Sequence, residues 1–359
     1  MNRRITSQIN AGGLLIVGSA PVSVQSMTNR PIDDVEGTVA QIEALALRGA
    51  SLVRLALLTV DSVEHLRKIL PRVRVPLCAD IHFDYRIALA AIDAGVHKIR
   101  INPGNIGSLE RTREVVQAAR DRRIPIRIGV NGGSIDKKRY SSPTPEALVD
   151  SAMGHVRILE DLGFPDIAVS IKASDLRSTV EANRIFAAQR NYPLHLGLTE
   201  AGYGLASVVQ SSIAIGSLLL EGIGDTIRVS MTGDPLDEID AAYEILKSLG
   251  LLTHGIKIVA CPTCGRTDPT IDLRSIAEEV DIALRERFTA RLALKNRMLT
   301  VAVMGCEVNG PGEASHADVG IAGARNGNFI LFSRGEKIGK IPASDIVEGL
   351  SAQIEDLLS

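Results

Sequence analysis

Short apolar runs rich in β-branched residues alternate with segments of helical spacing eight times in the first two thirds of the chain. The runs predict strands at Val22–Thr28, Leu52–Leu57, Val75–Ile81, Lys98–Asn102, Pro125–Asn131, Ile167–Lys172, Leu194–Thr199 and Ile227–Thr232. Eight strand–helix units in about 230 residues match a TIM (β/α)8 barrel in number and size. A doubly wound open sheet is the alternative architecture for this alternation.

The segments between the predicted strands repeat their apolar residues at helical spacing. They are Asp34–Arg48, Val63–Leu70, Tyr85–Ala94, Leu109–Arg122, Glu146–Leu162, Asp175–Ala188, Leu205–Leu219 and Leu236–Leu249. Several of them end in glycine, which is common where a helix stops. Ahead of the barrel, residues 5–21 predict a hairpin that turns at Gly12 and Gly13.

The pattern changes after the eighth unit, and we place a domain boundary near residue 253. Residues 1–253 then form the barrel domain, and residues 254–359 form a smaller α+β domain. The predicted strands of the second domain are Lys257–Ala260, Leu299–Met304, Asn328–Phe332 and Lys337–Ile341. Its predicted helices are Leu273–Arg287 and Ser344–Leu358.

The composition excludes several classes of protein. A net charge of −2 without a basic run gives no nucleic-acid footprint. No apolar stretch approaches membrane-spanning length, and no signal-peptide core follows Met1-Asn2-Arg3-Arg4. Four cysteines, three of them near one another in the sequence, do not make a disulfide framework. We therefore expect a cytoplasmic protein with reduced thiols.

Three of the four cysteines follow predicted strands of the second domain. Cys261 and Cys264 form a C-x-x-C turn, and Cys306 follows the next strand. This spacing lets thiolates face one metal centre, and thiolates are the usual ligands of iron–sulfur clusters. Structural zinc is an alternative, although it would require a fourth Cys or His ligand, and a redox pair or buried thiols are another. Cys78 lies in an apolar run and is predicted to be a core residue.

A centre held by three thiolates leaves one position for another ligand. Glu313 ends the turn Asn309–Gly312 and is the best-placed oxygen, and Glu307 and His316 are its rivals. A weak oxygen ligand can be exchanged for substrate, which a closed structural site does not allow. The sequence therefore favours a reactive centre over a purely structural one.

Polar side chains collect at the carboxyl ends of the predicted barrel strands, which form the active-site end of this fold. Many recur at a spacing of two residues, so they share one face of their strand. They are Arg54, Asp80, His82, Arg100, Asn102, Arg127, Asn131, Lys172, Glu200, Arg228 and Ser230. The cations outnumber the carboxylates and predict a bound anion, and arginine suits phosphate oxygens. No Walker loop is present, so we expect a phosphorylated or diphosphorylated small molecule rather than ATP.

Asp80 and Glu200 are the acid–base candidates of this set, and His82 is as readily a structural histidine. Two other classes of function fit the same residues. One is a zinc-stabilised barrel enzyme, such as a lyase or hydrolase acting on a sugar phosphate. The other is a non-catalytic metal-binding module that docks a partner.

Eight motifs, in order and over nearly the whole chain, resemble those of one enzyme family. They are Val24–Asn29 (VQSMTN), Ala79–Tyr85 (ADIHFDY), Lys98–Gly107 (KIRINPGNIG), Ile126–Ser134 (IRIGVNGGS), Ser170–Asp175 (SIKASD), His195–Gly202 (HLGLTEAG), Cys261–Thr267 (CPTCGRT) and Asn309–Ala314 (NGPGEA). The family is the 4-hydroxy-3-methylbut-2-enyl diphosphate synthases, iron–sulfur enzymes of the methylerythritol phosphate route to isoprenoids.

The resemblance implies a TIM barrel followed by a domain that carries a [4Fe–4S] cluster. The implied substrate is 2-C-methyl-D-erythritol 2,4-cyclodiphosphate, which is opened and reductively dehydrated with two electrons from ferredoxin or flavodoxin. Cys261, Cys264 and Cys306 would hold three irons, and Glu313 would hold the fourth and yield it to substrate. Glu307, directly after Cys306, departs from the expected apolar residue and puts a second carboxylate near the cluster.

The resemblance also assigns roles to the polar residues at the strand ends. Asp80, His82 and Glu200 would lie near the carbon skeleton, with Glu200 as the favoured proton donor. Asn309 would be a further substrate contact from the second domain. The residues implied to hold the diphosphate are Arg54, Arg100, Asn102, Arg127, Asn131, Lys172, Arg228 and Ser230.

We further expect a homodimer whose active sites each use two chains. In a barrel the helices return the chain to the end opposite the mouth, so the eighth helix delivers it there. The linker Gly250–Ile256 spans at most about 25 Å when extended, too little to bring the second domain comfortably over its own mouth. A head-to-tail pair, in which each second domain caps the partner's barrel, satisfies this geometry under two-fold symmetry.

Overall fold

A computed structural model describes residues 2–102, 106–136, 138–269, 271–306, 308, 310–324 and 327–359, with residue 313 described through its backbone only. The chain divides into two compact units between Leu251 and Leu252. The functional roles that we assign to the two domains stay predictions.

The first unit begins with a hairpin and continues as eight parallel strands. The hairpin strands are β1 (Ile9–Ala11) and β2 (Leu14–Ile16). The parallel strands are β3 (Ser23–Met27), β4 (Leu52–Ala56), β5 (Leu77–Asp80), β6 (Lys98–Ile101), β7 (Ile126–Val130), β8 (Ile167–Ile171), β9 (His195–Leu196) and β10 (Thr226–Ile227).

The eight parallel strands form a barrel. Their order is β8-β7-β6-β5-β4-β3-β10-β9, and a parallel bridge between Val169 and Leu194 joins the two edges of the sheet. The predicted TIM barrel is therefore confirmed. β9 and β10 are only two residues long, and Gly197 and Arg228 follow them directly.

Eight helices alternate with the barrel strands. They are α1 (Val35–Leu47), α2 (Ser62–Ile69), α3 (Tyr85–Asp93), α4 (Leu109–Arg122), α5 (Pro145–Asp161), α6 (Leu176–Gln189), α7 (Gly204–Leu220) and α8 (Pro235–Ser248). The starts of several are fixed by side-chain caps, in which Asp34, Ser108, Thr144 or Asp175 accepts a backbone N–H of the first turn.

The hairpin packs against residues in the amino-terminal halves of barrel strands. Ile9 and Ile16 cluster with Ala168 of β8, and Ala11 clusters with Leu52 of β4 and with Cys78 of β5. Cys78 is fully buried there, as an apolar core position requires. Because the active-site end of a barrel is its carboxyl end, the hairpin covers the opposite end and keeps water from the interior.

The second unit is a five-stranded sheet with helices. Its elements are β11 (Gly255–Ala260), α9 (Leu273–Leu294), β12 (Met298–Met304), α10 (Gly310–Ala314), β13 (Val319–Gly323), β14 (Asn328–Ser333), β15 (Glu336–Pro342) and α11 (Ile346–Leu358). The strand order is β11-β12-β13-β14-β15, with β11, β12 and β13 parallel to one another and the other pairs antiparallel.

The second unit departs from the prediction in three places. α9 continues past Arg287 to Leu294, because Phe288 and Leu292 extend its buried face. A short helix, α10, replaces most of the predicted turn. β13 was not predicted, because its sequence VGIAG carries two glycines and shows no alternation of apolar and polar residues. The alternation is missing because all five residues of the strand are buried.

Gly320 of β13 is required by the packing of the sheet, and its replacement is expected to destabilise the second unit. A Cβ at Gly320 would lie 2.9 Å from the Cβ of Ala302 on β12. Gly320→Ala should lower the free energy of unfolding by about 1–3 kcal/mol through overpacking. Gly339→Ala on β15 is the matched control, because nothing lies within 4 Å of its Cβ. Calorimetry should show the loss for Gly320→Ala alone, and equal transitions for both variants would contradict the packing argument.

Candidate functional site

The carboxyl ends of the barrel strands bring together the polar side chains that the sequence singled out. Because all eight strands are parallel, their carboxyl ends meet at one mouth. Asp80 ends β5, Arg100 lies one residue before the end of β6, and Lys172 directly follows β8. Arg54 is instead the middle residue of β4, and Arg127 is the second residue of β7, nearer the amino end of its strand than the sequence predicted. The others follow a strand within a few residues, and they are His82, Asn102, Asn131, Glu200, Arg228 and Ser230.

Asp80 is the centre of a buried ion-pair network at the mouth. Its carboxylate lies 3.0 Å from Nη1 of Arg100, 3.5 Å from Nε of Arg54 and 3.7 Å from Nε2 of His82. Burial alone would raise the pKa of Asp80, but the charge of Arg54, the nearby ring of His82 and the charge of Arg100 outweigh it. The pKa therefore lies well below its ordinary value, and Asp80 is an anion that orients cations rather than a proton donor.

Several cations of the mouth keep N–H groups without a partner among the described residues. Arg127 is buried, with its Nε and Nη1 unpartnered, and Nε of Arg100 is also unpartnered. Arg54 directs Nε and Nη2 at the Sδ of Met27, at 3.2 and 2.9 Å, and a thioether is a weak acceptor. Burial lowers the pKa of Arg127, yet a guanidinium stays protonated at neutral pH. Such donors are the ones that an anion satisfies.

Two glycines make room for these cations inside the barrel. A Cβ at Gly129 of β7 would lie 2.2 Å from Nε of Arg100, and a Cβ at Gly197 would lie 2.5 Å from Nζ of Lys172. Burial, followed by the charge of Arg127, lowers the pKa of Lys172 well below its ordinary value. A side chain at either position would therefore force the neighbouring cation to shift.

Arg228 is held by a carboxylate that the sequence analysis missed. Glu238 of α8 is buried, and its Oε1 accepts hydrogen bonds from Nη2 of Arg228 and from the backbone N–H of Met231, both at 3.1 Å. It therefore fixes both the arginine and the loop that carries Ser230, which is half-buried. Glu238 lies in the first turn of α8, which Asp234 caps. Acidic residues are common in the first turn of a helix, so the sequence gave no sign of this further role.

Lys98 is a second residue that the sequence analysis passed over. It begins β6 and precedes Arg100 by two positions, so the two side chains share the inward face of the strand. Lys98 is fully buried, and its Nζ has no partner among the described residues. The spacing of two that identified the strand-end residues also applied to Lys98, although this residue lies at the start of its strand.

The two predicted asparagines differ in exposure. Asn102 is buried directly after β6. Asn131 is exposed after β7, and its Oδ1 accepts the backbone N–H of Gly133 at 3.0 Å and the hydroxyl of Ser134 at 3.1 Å. Asn131 therefore stabilises the turn at the mouth in addition to any contact with a ligand.

Glu200 stands out by its backbone conformation. Its φ is +58°, in the left-handed region that non-glycine residues rarely adopt, and its side chain is exposed. Thr199 donates its N–H to the carbonyl of Ala173, and Thr232 donates to the carbonyl of Gly202, so both ends of the loop are held. Backbone strain that the surroundings maintain is typical of functional positions.

The three cysteines of the second unit follow two neighbouring strands. β11 pairs with β12 in parallel, and Ala260 lies opposite Val303. Cys261 comes directly after β11, its N–H bonds to the carbonyl of Val303 at 3.3 Å, and its Sγ accepts the N–H of Gly305 at 3.2 Å. Cys261 and Cys306 therefore lie at the same edge of one sheet, and Cys264 follows in the C-x-x-C turn.

A cleft of about 480 Å³ opens at this edge, and of the three cysteines Cys306 lines it. Its lining includes Gly305, Cys306, Gly323 and Thr267, whose buried Oγ1 has no partner among the described residues. Arg266 lowers the pKa of Cys264, chiefly by a hydrogen bond to its sulfur. None of the cysteines forms a disulfide. Thiols of lowered pKa, and backbone N–H groups directed at sulfur, are features of iron–sulfur sites.

The candidates for a fourth ligand are only partly described. Glu307 and Asn309 are outside the described residues, and Glu313 is placed only by its backbone in α10. Within the part of the chain that the structure describes, no three His, Cys, Asp or Glu side chains stand close enough to hold one metal ion. The assignment of Glu313 as a ligand stays a prediction.

Two family models match the chain, one for each unit. The model of the GcpE TIM-barrel domain matches residues 6–243, and that of the GcpE protein C-terminal domain matches residues 257–356. The chain belongs to the GcpE family. The resemblance that the eight motifs indicated is thus confirmed.

Relatives of this GcpE chain are similar over its full length. A protein of Clostridium perfringens is 50% identical over 360 residues, which cover 99% of this chain and 100% of the relative. One of Geobacter sulfurreducens is 49% identical over 357 residues, covering 99% of this chain and 98% of the relative. Both are named 4-hydroxy-3-methylbut-2-en-1-yl diphosphate synthase (flavodoxin).

Solved structures resemble this GcpE chain in fold alone. Dihydropteroate synthase from Stenotrophomonas maltophilia gives a TM-score of 0.52 at 17% identity, covering 68% of this chain and 98% of that one. The enzyme from Yersinia pestis gives a TM-score of 0.50 at 15% identity with the same coverage. Among the described residues, no helix has the length and apolar character needed to cross a bilayer.

The strain at Glu200 predicts that stability and activity respond differently to two substitutions. Glu200→Gly removes the left-handed strain and should raise the free energy of unfolding by about 1 kcal/mol. Glu200→Gln keeps a side chain in the same backbone conformation and is the matched control, with stability near that of the wild type. Both remove the carboxylate and should lose turnover. Thermal unfolding that showed no gain for glycine over glutamine would contradict a strained native loop.

Proposed function

We propose that this chain converts 2-C-methyl-D-erythritol 2,4-cyclodiphosphate into 4-hydroxy-3-methylbut-2-enyl diphosphate, as the names of its relatives suggest. The reaction opens the cyclic diphosphate, consumes two electrons and protons, and releases water. The observation that carries the proposal is the excess of buried cations at the barrel mouth, with N–H donors that lack partners among the described residues. A diphosphate supplies the acceptors that these donors require.

The barrel residues act first by binding and orienting the substrate. We assign the diphosphate to Arg54, Arg100, Arg127, Lys172 and Arg228. Asn102, Asn131 and Ser230 contribute polar contacts around it. Because Asp80 and Glu238 already fix Arg54, Arg100 and Arg228, these donors lose little conformational entropy when the ligand binds.

Asp80, His82 and Glu200 lie where the carbon skeleton extends from the bound diphosphate. Asp80 remains ionised in its network and holds its cations in place. Glu200 is exposed at the mouth and is the residue that we assign as proton donor to the substrate. His82, whose side chain is 44% exposed and bonded to the same network, positions substrate next to Asp80.

The cofactor of this proposal is a [4Fe–4S] cluster held by Cys261, Cys264 and Cys306, with Glu313 as the fourth, exchangeable ligand. When bound, the cluster supplies electrons one at a time. Around it, Gly305 and Gly323 keep the cleft open, because a Cβ at Gly323 would lie 2.5 Å from the carbonyl oxygen of Gly305. We include Asn309 as a substrate contact from the same turn.

We propose flavodoxin as the electron donor, because the relatives are named for it. Ferredoxin carries electrons of the same kind and remains the alternative donor. The cytoplasm is the compartment that we propose, since it keeps these thiols reduced and contains such carriers.

The working unit in this proposal is a homodimer with shared active sites. An exposed apolar stripe on α7 supports an interface between chains. Leu205, Val209 and Ile213 are four residues apart and 79%, 46% and 50% exposed, and Tyr203 precedes them. A stripe of this kind on a folded domain is typical of an interaction surface.

The function predicts that cluster and substrate binding can be lost separately. Protein purified without oxygen should be brown and should form 4-hydroxy-3-methylbut-2-enyl diphosphate from the cyclic diphosphate and reduced flavodoxin. Cys306→Ser should lose the absorbance of the cluster and all turnover. Lys172→Met should keep the absorbance and raise KM about tenfold or more, because a charge-assisted contact is lost. A colourless wild-type protein that binds zinc would overturn the proposed function.

Shared sites predict that two inactive chains restore activity when mixed. Glu313→Ala impairs the second domain and Lys172→Ala impairs the barrel. A mixed dimer has one site with both defects and one with neither, so part of the activity should return. Dimer exchange is verified with two affinity tags. Heterodimers that stay inactive would contradict the shared site. The control is each variant taken through the same exchange procedure alone.

A further inference from the structure

Lys98 lies deeper in the barrel than Arg100, the cation on the same strand that we assign to the diphosphate. It starts β6, two residues before Arg100, and its register partner on β5 is Cys78. A rise of about 3.3 Å per residue places its Cα some two residues farther from the mouth. The side chain is fully buried, and Nζ has no hydrogen-bond partner among the described residues. An unpaired amine in this position has a high desolvation cost, so a purely structural role does not explain it.

Several described groups act on the charge of Lys98, and none of them is a carboxylate that could pair with it. Facing it are Arg54 from β4, Cys78 from β5, Arg127 from β7 and His195 from β9. Burial raises the pKa of Cys78, so its thiol is neutral. Burial and the charge of Lys172 lower the pKa of His195, which is therefore neutral as well. The charged neighbours of Lys98 are cations alone.

The interior of the barrel carries a surplus of positive charge. The described cations that line the barrel are Arg54, Lys98, Arg100, Arg127, Lys172 and Arg228, and the buried carboxylates among them are Asp80 and Glu238. Arginines do not release their protons, so the two buried lysines, Lys98 and Lys172, whose pKa values are both lowered, are the groups that adjust the charge. Lys172 lies at the mouth, where the diphosphate contacts it, whereas Lys98 acts from below.

We propose that Lys98 is a positioning residue for the diphosphate, which strengthens binding through the barrel interior and takes up a solvent proton as the anion arrives. This inference rests on the proposed function. Lys98 requires no contact with the ligand, because a charge beneath Arg127 acts over several ångströms in a medium that screens poorly. It also keeps the neighbouring guanidinium groups directed toward the mouth by like-charge repulsion.

The protonation of Lys98 supports this assignment. Burial lowers the pKa of Lys98 to about 8, and the positive charge of Arg127 acts in the same direction. A bound anion raises this pKa again, so above pH 8 binding must be accompanied by proton uptake. Affinity for the diphosphate should then fall as the pH rises through the pKa of the empty barrel.

Lys98→Met tests the role, because methionine keeps an unbranched chain and removes the charge. Its affinity for the cyclic diphosphate at pH 7 should fall about tenfold, and the dependence of affinity on pH above 8 should weaken to the part that Lys172, whose pKa is also lowered, contributes. The variant should also melt at a higher temperature than wild type, since an unpaired buried cation is gone. A merely structural lysine would give the opposite change in melting temperature and no change in the pH profile.

Cys78→Ala is the matched control on the neighbouring strand. Cys78 is as deeply buried and lies beside Lys98 in the sheet, but its thiol carries no charge. This variant should lower the melting temperature through the small cavity and leave affinity for the cyclic diphosphate unchanged. A loss of affinity equal to that of Lys98→Met would assign the effect to packing and overturn the proposal.

Calorimetric titration of the full-length protein with 2-C-methyl-D-erythritol 2,4-cyclodiphosphate, in buffers of different ionisation enthalpy, measures proton uptake directly. At pH 9 the wild type should take up about one proton more per site than Lys98→Met. Equal uptake by the two proteins would overturn the role of Lys98. If Lys98→Met does not fold, absence of uptake by the wild type at pH 9 would overturn that role as well. A wild type that does not bind the cyclic diphosphate at all would instead overturn the proposed function.

Discussion

The barrel depends on balancing positive charges that the fold has buried. Asp80 and Glu238 hold Arg54, Arg100 and Arg228 in place, and several N–H donors around them still lack acceptors within the described parts of the chain. Unpaired buried cations cost stability, so the rest of the barrel has to compensate through apolar packing. The amino-terminal hairpin packs against one end of the barrel strands. The helices contribute buried apolar residues, such as Ile42 and Leu45 of α1 and Leu148 and Leu159 of α5. In the proposed function, the bound diphosphate completes this balance at the mouth.

Both units build their sites in the same way, at the carboxyl ends of parallel strands. In the barrel this edge carries the cations, and in the second unit it carries Cys261 and Cys306 after two paired strands. Glycine is used at both edges where a side chain would fill the space, at Gly197 beside Lys172 and at Gly323 beside the cysteine loop. Rigid strands thus position these side chains, and short loops carry those that follow the strands.

Much of this arrangement follows from local sequence. Alternating apolar runs predicted the eight barrel strands, and the position of polar residues at their ends predicted the charged mouth. What escaped prediction depends on tertiary packing. Glu238 lies on a helix and reaches Arg228 only because the fold brings α8 beside the residues that follow β10, and β13 is held by burial rather than by an alternating pattern. The left-handed backbone of Glu200 likewise has no local signal, because it is imposed by the loop around it.

The central claim is that buried cations of the barrel, independently of the cluster, hold the diphosphate. The most direct measurement is the thermal unfolding of Cys306→Ser, prepared without iron, with increasing 2-C-methyl-D-erythritol 2,4-cyclodiphosphate. If the claim is right, the transition temperature rises with ligand concentration as it does for the iron-containing protein, because the ligand binds the folded barrel. A shift that appears only in the iron-containing protein would contradict the claim.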